Sequence, residues 1–206
     1  GGRSWSQLGS IANKQILSLA AAEGGSQPWI YAGCRPYDIN NTSDIDQKFG
    51  LFRFDLSQGW QRVGQTYFFN KSVTAIGLPP SYNSHGYLYV GTEANGVFFG
   101  RDYGMTNDDF FDFNGTSQTI PPKINDLKVS PSWDSYVPAV LIAAEPSNTS
   151  NGGVYVTVDT DPSSEEWTQA NLGLPSDRRV QSVAFAPGYP NNSLSIFCGH
   201  ATQGLF

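Results

Sequence analysis

Two glutamates stand where a pair of carboxyl groups could do acid–base work. Glu93 closes the run YLYVGTE and Glu145 closes VLIAAE, each after an apolar segment that ends in small or polar residues. Hydrolysis of a glycosidic bond needs two carboxyl groups across a cleft, one to protonate the leaving oxygen and one to activate water or attack the sugar. Asp38, Asp44 and Asp46, in the polar insert YDINNTSDIDQK, read as solvated loop carboxylates. Asp44, Asp46 and the DTD at Asp159 to Asp161 are the only calcium candidates, and their spacing matches no calcium loop. His85 and His200 fall in different loops without metal-centre spacing, so no metal and no cofactor is expected.

The segments around the two glutamates recur along the chain. SVTAIGLPPSY from Ser72, KINDLKVSPSW from Lys123 and RVQSVAFAPGY from Arg179 share one pattern of V/I, two spaced apolar positions, Pro and an aromatic; QILSLAAAE from Gln15 is a weaker copy. Ile16, Val73, Ile124 and Val180 are then equivalent, with steps of 57, 51 and 56 residues. Each copy leads to a short apolar run, WIYAGC, YLYVGT, VLIAAE or SIFCGH, and then to a glycine-led triplet, Gly50-Leu51-Phe52, Gly96-Val97-Phe98, Gly153-Val154-Tyr155 or Gly204-Leu205-Phe206. An aromatic opens a fourth strand at Trp60, Phe111 and Trp167; nothing follows Phe206, while Trp5 in SWSQLG has the matching context. Repeats of this length, each with four short strands, predict an all-β propeller of four four-stranded antiparallel blades. The blades are expected at about residues 15–66, 72–116, 123–172 and 179–206, the last completed by residues 1–9.

That completion removes an unpaired strand edge. It has three readings that the residues leave open: closure of the chain on itself, a piece of a longer array, or donation of the Trp5 strand to the Gly204–Leu205–Phe206 edge of a neighbour, which gives head-to-tail self-association.

With 22 Gly, 13 Pro and 14% aromatics against 15% charged residues, the composition agrees with many strands and turns. A net charge of −6, with 12 Lys and Arg spread thinly, leaves no basic stripe to track phosphates, so nucleic acid is not expected as a partner. No apolar run approaches the ~20 residues of a membrane span. The N-x-[ST] acceptor pattern occurs at Asn40, Asn41, Asn70, Asn114, Asn148 and Asn191, all in expected loops or strand ends, which suggests a secreted glycoprotein. Cys34 and Cys198 fall on like-facing positions of their blades, so buried free thiols are favoured over a bridge.

GGRSW resembles the end of an Asp-box, the S/T-x-D-x-G-x-x-W turn of sialidase-like (BNR) propellers and their sortilin and xyloglucanase relatives, and partial copies recur at Asp55, Asp102 and Asp159. The resemblance implies that these aspartates form turns between third and fourth strands and that the tryptophans pack between blades. It does not extend to sialidase chemistry: the arginine-containing sequence before the first blade is absent, and Arg35 is the one arginine near a loop end. The expected role is a non-catalytic structural or interaction module with a glycan or protein ligand. Trp29, Trp133, Tyr82 and Tyr189 are its candidate stacking residues, and the alternative is a glycoside hydrolase, or a piece of one, using Glu93 and Glu145.

Overall fold

The structure is a computed structural model that describes residues 4, 6–11, 13–22, 29–37, 49–80, 82, 86–102, 109–115, 120–133, 140–147, 151–158, 166–191 and 195–206. Blade 1 comprises β1 (Lys14–Ala22), β2 (Trp29–Pro36), β3 (Gly50–Asp55) and β4 (Gly59–Val63). Blade 2 comprises β5 (Val73–Gly77), β6 (Tyr87–Thr92), β7 (Val97–Arg101) and β8 (Asp109–Asp112); blade 3 comprises β9 (Ile124–Val129), β10 (Val140–Ala144), β11 (Gly153–Thr157) and β12 (Thr168–Gln169). Blade 4 holds β13 (Val180–Phe185), β14 (Ile196–His200) and β15 (Gly204–Leu205). Each blade is an antiparallel meander, so the first three are four-stranded sheets and the fourth has three strands among the described residues.

The inner strands pack in the order β1, β5, β9, β13, the radial arrangement of a propeller. Second strands in the middle of the array are buried on both faces, from Leu88 on in β6 and throughout β10, because neighbouring blades cover them, which is why YLYVGT and VLIAA read as continuous apolar runs. Pleat alternation sends Tyr31 and Leu51 of blade 1 into a cluster with Val73, Val90 and Phe98 of blade 2. Tyr89 and Val97 of blade 2 meet Ile124, Leu127 and Trp167 of blade 3, and Leu141 and Val154 of blade 3 meet Val180, Val183 and Cys198 of blade 4.

Blade-to-blade distance is set by a small residue in each second strand. A Cβ at Gly33 would lie 2.6 Å from Val73 Cγ1, and one at Gly91 would lie 2.8 Å from Ile124 Cγ2. The β-branched residue at the start of β5 and of β9 therefore seats in a hole in the preceding blade, with Ala143 and Val180 repeating the arrangement more loosely. The glycine opening each third strand has positive φ in all four copies, 111° at Gly50, 71° at Gly96, 122° at Gly153 and 93° at Gly204, which explains the repeated triplet.

Two readings are refined by the coordinates. The aromatic equivalent to Trp60 and Trp167 is Phe110, which pairs across from Gly100 and is buried, whereas Phe111 points outward. Trp5 lies outside the described residues; among those described, β15 pairs with β14 alone. The segment just after Trp5 rests on blade 1: Trp60 Nε1 donates to Leu8 O at 2.9 Å, as Trp167 Nε1 donates to Phe113 O at 3.0 Å. Leu8 thus stands to blade 1 as the end of blade 2's outer strand stands to blade 3. Cys34 and Cys198 are free and buried, both on faces turned toward the preceding blade position. Burial pushes the Cys34 thiol up to about 11 against the opposing pull of Lys14.

Filling the hole at Gly91 with a methyl group forces Ile124 out of its seat. Gly91→Ala is expected to lower stability by about 1–3 kcal/mol, and Gly199→Ala, whose Cβ meets only the rotatable Ser182 hydroxyl, by less. Urea denaturation of the two variants side by side measures the difference.

Candidate functional site

The chain crosses between blades, and second strands turn into third strands, at one end of the blades; call this the upper face. Backbone pairing places the two glutamates there in equivalent positions: Glu93 N–H donates to Ser72 O and Glu145 N–H donates to Lys123 O, both at 3.0 Å. Register makes Arg35 of blade 1 the counterpart of these residues, because Cys34, Thr92 and Ala144 pair with Ile16, Val73 and Ile124. Arg35 Nη1 lies 3.7 Å from Glu93 Oε1, and Arg179 Nε of blade 4 lies 3.6 Å from Glu145 Oε1. The two candidate carboxylates therefore each face an arginine from an adjacent blade.

Their surroundings differ. Glu93 is half exposed and borders a pocket of about 310 Å³ lined by Gln15, Arg35, Tyr37, Phe49 and Ser72. Arg35 Nε donates to Gln15 Oε1 at 2.8 Å, and both residues line the pocket. Tyr37 is 81% exposed and offers a ring face and a hydroxyl to solvent. Glu145 is less accessible: Asn125 Nδ2 donates to Oε2 at 2.8 Å and Gln181 Nε2 at 3.2 Å. Burial opposes its charge, but the Asn125 bond, the Lys123 and Arg179 cations and the Gln181 amide outweigh it and hold its carboxyl below the usual glutamate range. A carboxylate so held accepts protons poorly; it suits a fixed anion better than a general acid, which needs the opposite shift.

A larger pocket, about 850 Å³, lies between the crossings before blades 2 and 3, with Tyr67, Lys71, Phe98, Asp112 and Asn114 on its walls. It contains neither glutamate. Asn114 there is a strut: its Oδ1 accepts Val97 N–H at 2.8 Å and its Nδ2 donates to Asn95 O at 3.2 Å. Asn171 does the same one blade on, to Val154 N–H at 2.7 Å and Gly152 O at 3.3 Å. Reading Asn114 only as an acceptor sequon missed this clamp, although the matching asparagine four residues after Trp167 was a signal for it.

The remaining candidates separate by face. On the opposite, lower face Asp55 Oδ1 accepts the N–H groups of Ser57 at 2.7 Å and Gln58 at 3.1 Å, and the bonds from Ser57 hold its carboxyl below the usual range. Asp102, the residue after β7, has a fully buried carboxylate that takes Arg53 Nη1 at 2.5 Å and the Tyr31 hydroxyl at 2.5 Å. Tyr31 also bonds the Tyr82 hydroxyl, and Arg53 stacks 4.6 Å over Trp29. Burial, with Asp102 next, pushes the Tyr31 phenol far up, so it stays protonated. Trp133 is buried with Nε1 on Tyr89 Oη at 3.0 Å, and Tyr189 packs on Phe185. These aromatics are packing residues. Asn70 and Asn191 are exposed. Asp38, Asp44, Asp46, His85, Asp159, Asn40, Asn41 and Asn148 lie outside the described residues, and among those described no three His, Cys, Asp or Glu gather as a metal centre. No helix among the described residues is long and apolar enough to cross a membrane.

A glutamate with a lowered folded pKa stabilises the fold above its ordinary value of 4.5 and loses that contribution as pH falls through the folded value. Glu145→Gln should therefore cost at most about 1 kcal/mol at pH 7, since the group is partly solvated, and should unfold less steeply than the native chain below pH 4.5. Thermal melts from pH 7 to pH 3 give the comparison.

No protein-family model and no curated protein matches the chain. Its fold does match a solved one, the crystal structure of an ancestral GH74 enzyme, with a TM-score of 0.55 at 16% sequence identity. The match covers 99% of this chain and 32% of that chain, so the chain spans about a third of the length of the solved structure. At this identity the likeness shows the fold: the chain is built as a β-propeller.

Proposed function

We propose that the protein is a non-catalytic interaction module of the Asp-box propeller superfamily that holds a glycan on the upper face of blades 1 and 2. The supporting observation is the pairing of Glu93 with Arg35 beside the exposed Tyr37. A guanidinium and a carboxylate side by side next to an exposed tyrosine suit a sugar, whose hydroxyls need donors and acceptors and whose C–H face stacks on a ring. The Asp55 turn supports the superfamily reading. Each carboxylate on this face lies near an arginine of an adjacent blade, and Glu145 lacks the apolar, charge-free setting that makes a carboxyl a proton donor at neutral pH.

A second reading, a carbohydrate-active enzyme or a part of one, is favoured by the likeness to the GH74 enzyme. The two separate in one experiment. The native chain is run in affinity electrophoresis against soluble polysaccharides, and the same polysaccharides are assayed for new reducing ends. The module reading expects retardation that falls at least tenfold in affinity in Tyr37→Ala and no reducing ends. Hydrolysis abolished by Glu93→Gln or Glu145→Gln overturns it in favour of the enzyme.

Secretion with N-glycosylation belongs to the same proposal. Asn70 is exposed on a left-handed turn with φ of 53°, whereas the Asn114 amide is spent on the clamp to Asn95 and Val97. Secreted from a eukaryotic host, the chain is expected to carry glycan at Asn70 and little or none at Asn114, as read by glycopeptide mass spectrometry.

A further inference from the structure

We infer that the pocket of about 850 Å³ on blade 2 binds a zwitterionic α-amino acid with an apolar side chain, its carboxylate on Lys71 and its ammonium on Asp112. Both charges stand beside one ring. Lys71 Nζ lies 5.7 Å from the centre of the Phe98 ring, and Asp112 is the cross-strand partner of Phe98. Side chains paired in this way leave one face of a sheet about 5 Å apart at Cβ, so the ammonium and the carboxylate reach the same space. Yet no ion pair joins them, and among the described residues neither charged group has another ion-pair or hydrogen-bond partner. A cation and an anion held near each other but out of contact match a ligand that carries both charges a few bonds apart. The apolar side chain of that ligand would lie along Tyr67, Ile120 and Pro122, which share the lining.

The repeat shows that this pair is particular to blade 2. Register equates Lys71, Phe98 and Asp112 with Lys14, Phe52 and Arg62 in blade 1, and with Pro122, Tyr155 and Gln169 in blade 3. Blade 1 thus has two cations. In blade 3 Gln169 Nε2 donates to the Tyr155 hydroxyl at 3.1 Å, which donates in turn to Asn151 O, so the polar groups satisfy one another. Of the three four-stranded blades, blade 2 alone brings opposite charges to this place. The walls are also tied in advance of any ligand. Gly96 N–H donates to Pro122 O at 2.7 Å, Ile120 N–H to Asn114 O at 3.1 Å and Lys71 N–H to Phe68 O at 3.2 Å. The Asn114 clamp fixes the turn at Asn95 between them. This site is separate from the glycan site at Glu93 and Arg35, and it does not depend on that reading.

Ligand-observed NMR titration of the native chain tests this with L-leucine and L-phenylalanine, their N-acetyl forms and their methyl esters. The work is done at about pH 6, below the α-amino pKa and above the α-carboxyl range. The native chain should bind at least one of the two free amino acids, and each blocked form of it about tenfold more weakly, the loss expected for one hydrogen bond to a charged group. Lys71→Met and Asp112→Asn should each weaken the free amino acid by about tenfold while far-UV circular dichroism stays unchanged. Lys71→Met should no longer distinguish the acid from its methyl ester, and Asp112→Asn should no longer distinguish the amine from its N-acetyl form, a pattern that a merely structural role would not produce. Tyr37→Ala, which removes the ring of the glycan site, should leave amino-acid binding unchanged, so the two sites fail separately. A native chain that binds neither amino acid overturns the inference, as do blocked forms that bind as well as the free ones, or native affinity in both variants.

Discussion

Everything above the level of the single blade depends on how closely two sheets can approach at the axis. Gly33 and Gly91 leave no side chain where Val73 and Ile124 press in, so adjacent inner strands lie near enough for polar side chains to reach across. Thr74 Oγ1 donates to Ile124 O at 2.6 Å, and Asn125 Nδ2 donates to Val180 O at 2.8 Å. Asp126 Oδ2 accepts Val183 N–H at 3.0 Å. These bonds satisfy backbone groups that face the axis, where no further strand pairs with them. The upper-face geometry follows from the same approach: Glu93 and Glu145 meet arginines of neighbouring blades only because the blades are this close.

The three seams use different chemistry on this common geometry. Between blades 2 and 3 the contact is aromatic: Phe99 lies 5.6 Å from Phe113, which meets Trp167 edge-on at 5.7 Å, while Tyr89 bonds Trp133. Ring edges meeting ring faces give directional contact beyond the area buried. Between blades 3 and 4 the contact is smaller and aliphatic, carried by Leu141, Val154, Val180 and Val183. Between blades 1 and 2 an apolar cluster borders the buried Arg53 and Asp102, whose charges are tolerable in that setting because they pair with each other and the Tyr31 hydroxyl donates to the carboxylate.

The repeat was legible because the constraints that recur in space recur in sequence. A positive-φ glycine at the start of each third strand and a β-branched residue at the start of blades 2 to 4 leave fixed marks, so four blades could be laid out from spacing alone. Where two adjacent residues satisfy the same pattern, spacing cannot choose between them, and burial picks out Phe110 over Phe111. The polar network under blades 1 and 2 left no mark as a network: Trp29, Arg53, Tyr82 and Asp102 come from four separate segments, and although Tyr82 recurs as Trp133 and Tyr189, nothing in the spacing pairs these four residues with one another. Asp102 looked like a turn residue from its neighbours in sequence, and its partners Tyr31 and Arg53 are contributed by the preceding blade. On the upper face Arg35 and both glutamates were visible as strand ends, but the arginine partners were not, because pairing there runs between blades and not along them. Tyr37, two residues beyond Arg35, was within reach of the same alignment.

The buried Arg53–Asp102 pair also bears on how such arrays change by recombination. A blade is the natural unit of duplication, yet a breakpoint between blades 1 and 2 would leave one product with an unmatched guanidinium and the other with an unmatched carboxylate, each enclosed by apolar side chains. A cut between blades 3 and 4 would sever mainly aliphatic packing and a few bonds to the axis. Blades 1 and 2 are therefore heritable as a pair, and shuffling, loss or insertion of blades is easiest on the far side of blade 3.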